Sequence, residues 1–264
     1  MNIPLLIAAF GTTPAALATY STLEGAIRRH FPEHEIIWSY AAKAATKLTQ
    51  QGGAAPLSPA KALRQLAARG YDRVMVQSLH LLPGAEFHEL QRIVQQSGIS
   101  CAMGMPLFCT PEDYDELGEI LRPVIGARPG KAILLLGHGT THPSWTAYFC
   151  LEKILRRKFG DRIFAGVLEK FPDSKNLPDD IKAAGFTEVC VIPFLFIAGM
   201  HYHRDIAGDS RTSWMTRLHD NDLAVEIISH GLGLFPGLEK LLIRHIDDAM
   251  QKFVGSGLSQ ENSR

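Results

Sequence analysis

Three residues of metal-ligand type stand just past apolar runs in the second half of the chain. His138 sits in Leu-Gly-His-Gly-Thr, Glu169 in Val-Leu-Glu-Lys-Phe-Pro, and His201 ends Phe-Ile-Ala-Gly-Met-His. Two imidazoles and a carboxylate drawn to one point would form a divalent-metal site with positions left open for a substrate. Gly137 and Gly139 beside His138, and Gly199 near His201, let the backbone bend and a ligand approach closely. A further carboxylate, Glu86, lies in His80-Leu-Leu-Pro-Gly-Ala-Glu-Phe-His88 of the first half and suits proton acceptance opposite the metal. The chain has 11 histidines. His219, His230 and His245 read as structural, His142 equally as a surface position beside the cleft or as a residue with a role, and His88 and His203 as neighbours of the site.

The elements needed to position these residues follow from the hydrophobic pattern. Short apolar runs alternate with longer amphipathic stretches, the pattern of β-α units on a parallel sheet. Strands are expected over 3–10, 35–40, 73–79 and 100–107, then 131–137, 162–168, 188–195 and 224–229. Helices are expected near 14–30, 58–69, 86–97, 111–125, 144–158, 174–184, 210–219 and 236–253. The class is therefore α/β, with two four-stranded halves joined at the Ala-Arg-Pro-Gly stretch 127–130. Domains of 1–127 and 131–254 result, followed by a frayed tail over 255–264, rich in Gly, Ser, Gln and Asn.

The halves also repeat. Ala-Phe-Gly-Thr-Thr matches Gly-His-Gly-Thr-Thr at an offset of 128, which puts Phe10 on His138. Ala42 and Lys43 fall on Glu169 and Lys170 at 127, while Gly84, Phe87 and His88 fall on Gly199, Tyr202 and His203 at 115. An extra segment around 50–59 explains the change. A duplicated, doubly wound pair predicts a cleft at the carboxyl ends of the strands. On this mapping the ligand positions of the second half correspond to Phe10, Ala42 and Glu86 in the first.

Composition removes several function classes. Lys plus Arg, 27, balances Asp plus Glu, 27, which argues against a nucleic-acid groove or a polybasic membrane surface. Neither G-x-x-x-x-G-K-[ST] nor G-x-G-x-x-G occurs, so ATP and dinucleotide cradles are not expected, and no G-x-S-x-G elbow points to a hydrolase. Cys101, Cys109, Cys150 and Cys190 show no ligand spacing and read as buried free thiols in a reducing compartment. The apolar start reads as a first strand, and no run reaches the length of a membrane span, so the expected location is cytoplasmic.

Taken together these blocks resemble the class II tetrapyrrole chelatases, in particular the CbiK-type anaerobic cobaltochelatases that act on sirohydrochlorin. The likeness runs through Ala-Phe-Gly-Thr-Thr, Val-Gln-Ser-Leu-His80 with Gly84 and Glu86, Leu-Gly-His138-Gly-Thr and Glu169-Lys-Phe-Pro. It continues through Pro193-Phe-Leu-Phe-Ile-Ala-Gly-Met-His201, Asp205-Ile-Ala-Gly-Asp209 and Trp214. One departure stands out: the family usually reads Ala-Gly-Asp-His, and Met200 replaces that Asp here.

The resemblance implies two pseudo-symmetric α/β domains with the last helix returning to the first, and metal ligands at His138, Glu169 and His201. It implies ATP-independent insertion of Co²⁺, as substrate metal, into sirohydrochlorin early in anaerobic cobalamin biosynthesis, with no organic cofactor. His138 and His201 would hold the metal, and His201 or Glu86 would accept a pyrrole proton. A flat macrocycle needs apolar walls. Phe10, Leu81, Leu82, Phe87, Met200 and Tyr202 are the candidates, with His80 beside them. Fe²⁺ insertion toward sirohaem or haem, activity with Ni²⁺ or Zn²⁺ in vitro, and a tetrapyrrole or metal carrier without turnover are the alternatives. Family members are often homo-oligomers; no nucleic-acid or membrane partner is expected.

Overall fold

The computed structural model describes residues 2–10, 14–41 and 57–261, with side chains throughout except 14–16 and 254–261. Gly11–Thr13, Ala42, Lys43 and most of the extra segment around 50–59 lie outside the described residues. The chain divides into two compact units, 1–109 with 239–264, and 110–238.

In the first unit, β1 (Leu5–Ala9), β2 (Ile36–Tyr40), β3 (Arg73–Ser78) and β4 (Ser100–Gly104) form a parallel sheet in the order β2-β1-β3-β4. Helices α1 (Pro14–His30), α2 (Pro59–Ala68) and α3 (Ala85–Gln95) connect them. Central strand β1 is buried at every residue, as a strand covered on both faces requires. Leu6, Ala8, Val74 and Val76 pack there with Leu63 and Leu66 of α2 and Leu90 of α3. Ser58 caps α2, its side chain accepting from the Lys61 N–H, and Pro59 supplies a first-turn residue with no amide to orphan.

In the second unit, α4 (Pro111–Gly126) precedes a sheet of β5 (Ala132–Gly137), β6 (Ile163–Val167), β7 (Glu188–Pro193) and β8 (Ala224–Ile227), ordered β6-β5-β7-β8. Helices α5 (Ala147–Phe159), α6 (Leu177–Ala183) and α7 (Trp214–His219) connect these strands, and α8 (Leu238–Glu261) follows them in sequence. The core gathers Leu134, Leu136, Val191, Tyr202, Ile206 and the fully buried Trp214.

Two boundaries differ from expectation. Helix α4 opens on a capping box, in which Thr110 accepts from the Asp113 N–H and the Asp113 carboxylate accepts from the Thr110 N–H. That helix belongs to the second unit, so the division falls at Cys109–Thr110 rather than at 127–130. The segment expected as a frayed tail is helical through Glu261, and α8 from Glu239 onward belongs to the first unit. Only Cys190 is buried as expected: Cys101 and Cys109 are half-buried and Cys150 is exposed, and all four cysteines are free. No described helix is long and apolar enough to cross a membrane.

The duplication holds at the level of single hydrogen bonds. Leu5 pairs with Ile36 and Met75, and Ile133 pairs with Ile163 and Cys190, so the strand register keeps the offsets of 128, 127 and 115. Beyond the strands, Leu79 N–H donates to Ala8 O as Phe194 N–H does to Leu136 O. His88 N–H donates to Gly84 O as His203 N–H does to Gly199 O. The turns after β3 and β7 are therefore the same turn, carrying different chemistry.

Candidate metal centre

His138 leaves β5 between two glycines that cannot be replaced freely. A Cβ on Gly137 would lie 2.4 Å from the Tyr148 ring, and one on Gly139 would lie 1.8 Å from the Glu169 carbonyl oxygen. Gly139 also has φ +84°, a left-handed value that disfavours a side chain. This close approach continues the β5–β6 ladder past the strands: Leu168 N–H donates to Gly137 O at 2.9 Å, and Glu169 N–H to His138 O at 3.1 Å. Thr140 then bridges to Phe171. From the other side, the Gly139 N–H donates to the buried Tyr148 hydroxyl at 3.1 Å. His138 and Glu169 are neighbours because two backbones meet here without an intervening side chain.

His201 arrives from the turn after β7. Gly199 N–H donates to Ile197 O, and the chain then enters one π-helical turn, Tyr202–Ile206, in which Ala207 N–H reaches back to Tyr202 O. The His138 and His201 rings meet edge to face with Nε2 to Nε2 at 3.3 Å. The side chains of His138, Glu169 and His201 are 43–48% exposed, so a ligand can reach them.

The partners of the other ring nitrogens set the tautomers. His138 Nδ1 faces Gly139 O at 3.2 Å and Glu169 Oε1 at 3.5 Å, both acceptors. His201 Nδ1 faces Asp205 Oδ2 at 2.8 Å. With each proton on Nδ1, both Nε2 atoms are left as bare acceptors, 3.3 Å apart. Two nitrogens 3.3 Å apart, each about 2.0–2.1 Å from a metal, subtend roughly 105–110°, close to tetrahedral. The Arg204 guanidinium holds the Asp205 carboxyl below the usual carboxylate range, with His201 adding to the effect against partial burial.

Glu169 is placed differently from expectation. Its carboxylate lies on the Nδ1 side of His138, with Oε1 3.2 Å from Lys170 Nζ, rather than at the Nε2 gap. Among the described residues no three His, Cys, Asp or Glu side chains surround one point. The arrangement is a two-nitrogen site with a half-exposed carboxylate alongside. Lys170, at φ 65°, turns the chain immediately after Glu169.

The candidates for substrate contact divide by exposure. Met200, beside His201, is 59% exposed, and Phe10, at the end of β1, is 56% exposed. Leu81 and Leu82 are half-buried beyond β3, and Glu86 is exposed in the first turn of α3. Phe87 and Tyr202 correct the expectation. At 2% and 8% exposure they are core side chains on the inner faces of their turns and present no surface to a ligand. His80 is mostly buried; Ser78 Oγ lies 2.8 Å from its Nδ1, while Nε2 is buried with no hydrogen-bond partner. Burial pushes its pKa down, against a smaller raising effect of Glu86. His88 instead pairs through Nδ1 with Gln91, and His142 caps a short 3-10 turn.

The fold is α/β, with two close histidines at the carboxyl end of the second unit's parallel sheet, and comparison with known proteins supplies the class. Residues 4–251 match the family model described as cobalt chelatase (CbiK). The chain belongs to the CbiK cobalt chelatase family and is a metal chelatase. It is 31% identical over 213 residues to the sirohydrochlorin cobaltochelatase of Salmonella typhimurium, covering 79% of this chain and 80% of that one. It is 26% identical over 254 residues to sirohydrochlorin cobaltochelatase CbiKC of Nitratidesulfovibrio vulgaris, covering 93% and 90%. Among solved structures, SirB from Bacillus subtilis with Fe³⁺ shares the fold at TM-score 0.66 and 14% identity, over 96% of this chain and 98% of that one.

Two residues at the centre, Asp205 and Tyr148, gain a role only from the structure. Asp205 falls four residues after His201, a spacing that puts two side chains on one helical face and could have marked it. Tyr148 leaves no signal in the sequence, because its partner is a backbone amide.

Proposed function

We propose that this protein inserts Co²⁺ into sirohydrochlorin without ATP, using His138 and His201 as the nitrogens that hold the incoming metal. The observation that carries the reading is the approach of the His138 and His201 Nε2 atoms to 3.3 Å. Two neutral imidazoles hold a dication without closing its coordination shell, so the metal can be passed on. Glu169 is half-exposed, with Lys170 Nζ and His138 Nδ1 as its neighbours. It swings from the Nδ1 side of His138 to become the third ligand, supplying negative charge that favours a dication.

Insertion exchanges one Co²⁺ for two pyrrole N–H protons. As the metal leaves, the His138 and His201 Nε2 atoms become bare bases again, and one proton passes to them. Glu86 is the carboxylate assigned to the other. Phe10, Leu81 and Leu82 of the first unit and Met200 of the second are the apolar side chains assigned to the macrocycle, and His80, whose pKa burial pushes down, is assigned with them. No nucleotide loop motif occurs in the sequence, in line with a reaction driven by metal–nitrogen bond formation alone. In this reading the enzyme works in the cytoplasm as a homo-oligomer, its four free thiols suiting a reducing compartment.

The test is anaerobic mixing of protein, sirohydrochlorin and Co²⁺ without ATP, followed by the change in tetrapyrrole absorbance, with parallel Fe²⁺, Ni²⁺ and Zn²⁺ arms. Acceleration over the spontaneous reaction, greatest with Co²⁺, is expected. Acceleration greatest with Fe²⁺ reassigns the metal. Tight tetrapyrrole binding with no acceleration by any metal makes the protein a carrier.

A further inference from the structure

The stretch between Tyr202 and Ile206 is where the duplicated units stop matching. Up to Phe87 and Tyr202, which are both buried, the turns after β3 and β7 align at an offset of 115. The next core residues are Leu90 and Ile206, at 3% and 0% exposure, and their offset is 116. In the first unit this stretch is the regular helix α3, whereas in the second it is the π turn Tyr202–Ile206. A π turn accommodates one extra residue, and such turns concentrate at functional sites. Phe87 and Leu90 are three apart, Tyr202 and Ile206 four. The extra residue falls between Tyr202 and Ile206, the stretch that carries Asp205, whose Oδ2 lies 2.8 Å from His201 Nδ1.

The carboxylate is itself held. Arg204 Nε donates to Asp205 Oδ1 at 2.7 Å, and a terminal guanidinium nitrogen donates to Oδ2 at 2.9 Å. Clamped from that side, the carboxylate turns its Oδ2 to the His201 imidazole. In the first unit Glu86 stands where the second has His201, and Leu90, the counterpart of Ile206, follows Phe87 without an added residue.

We propose that Asp205 is a positioning residue for metal capture: it fixes the His201 ring and keeps its proton on Nδ1, so that Nε2 faces His138 bare. Metal-binding histidines commonly need such an acceptor on the far nitrogen, and removing it typically costs about 10–100-fold in metal affinity or activity. The inference deepens the reading of the same centre, and it gives the π turn Tyr202–Ile206 a function as the segment that carries the carboxylate beside His201.

The experiment uses the metal-free full chain with ¹⁵N-labelled histidine, and then Co²⁺ alone, with no tetrapyrrole. Long-range ¹H–¹⁵N spectra should show His201 protonated on Nδ1 in the wild type. In Asp205→Ala the proton should redistribute toward Nε2, and Co²⁺ affinity should fall about 10–100-fold. Asp205→Asn keeps the shape and a weaker neutral acceptor; it should retain the Nδ1–H form and lose only about fivefold in affinity. Partial rescue by Asn separates positioning from a general structural role. An unchanged tautomer and unchanged Co²⁺ affinity in Asp205→Ala would overturn the proposal. Should that variant fail to fold by circular dichroism, Asp205→Asn decides alone, and wild-type Co²⁺ affinity there overturns it. Neither readout needs the chelatase reaction, so failure of that reading and failure of this one are distinguishable.

Discussion

Replacing Gly139 by Ala places a methyl group where the backbones of two strands meet. The new Cβ would stand 1.8 Å from the Glu169 carbonyl oxygen and 3.0 Å from Val167 Cβ. Neither neighbour is a flexible side-chain end, so the β6 loop must move. The left-handed backbone, φ +84°, costs an alanine roughly 1–2 kcal/mol. Moving the loop also breaks the Glu169 N–H bond to His138 O, worth about 1 kcal/mol. The expected loss of stability is about 2–4 kcal/mol, a fall in Tm on the order of 5–15 °C. Chelatase activity should fall with it, since His138 and Glu169 lose their common register. Gly199→Ala is the matched control: nothing lies within 4 Å of where its added methyl would sit, and its φ is not left-handed. It should change stability by less than about 0.5 kcal/mol. Thermal unfolding followed by circular dichroism, with the absorbance assay alongside, reads both variants. If Gly139→Ala melts with the wild type and turns over at full rate, the argument that backbone contact positions the centre is wrong.

Two further outcomes follow from buried charge. His80 has its folded-state pKa lowered from 6.5 by burial, so the unfolded chain takes up a proton first as pH falls. The stability tied to His80 is therefore complete above about pH 6.5 and is lost progressively below it. Urea unfolding between pH 8 and 5 should show this slope, and His80→Gln should flatten it; identical slopes would refute the assignment. In the second unit, Glu226 pairs with Arg128, only 18% exposed, and with Lys131. Glu226→Ala leaves that guanidinium largely buried without its carboxylate and should cost about 1–3 kcal/mol in urea unfolding, more than an exposed ion pair such as Lys182–Asp222.

Much of this architecture is legible in the sequence because its signals are physical and local. Central strands such as Ala132–Gly137 are buried at every residue, and they appear in the sequence as uninterrupted apolar runs. The repeat is legible because strand register preserves spacing, so the offset that aligns Phe10 with His138 also aligns Leu5 with Ile133 in the sheet. The π turn is not legible. It inserts one residue without a composition signal, and the alignment through Gly199 and Tyr202 runs smoothly up to it. Phe87 and Tyr202 look like macrocycle walls because they flank site residues, yet the spacing of Phe87 to Leu90 marks an inward helical face. Pro129 and Gly130 suggest a unit boundary, whereas the capping box at Thr110–Asp113 marks where the second unit begins. The direction of the Glu169 carboxylate depends on side-chain rotation, which no spacing encodes.

The central claim is that the His138 and His201 Nε2 atoms together take the metal. X-ray absorption at the cobalt edge of the Co²⁺-loaded protein tests it most directly. Two imidazole nitrogens at about 2.0–2.1 Å are expected in the wild type, falling to one in His138→Ala and one in His201→Ala, each with the fold intact. A shell of oxygen donors alone, or a spectrum unchanged in both variants, would contradict the account.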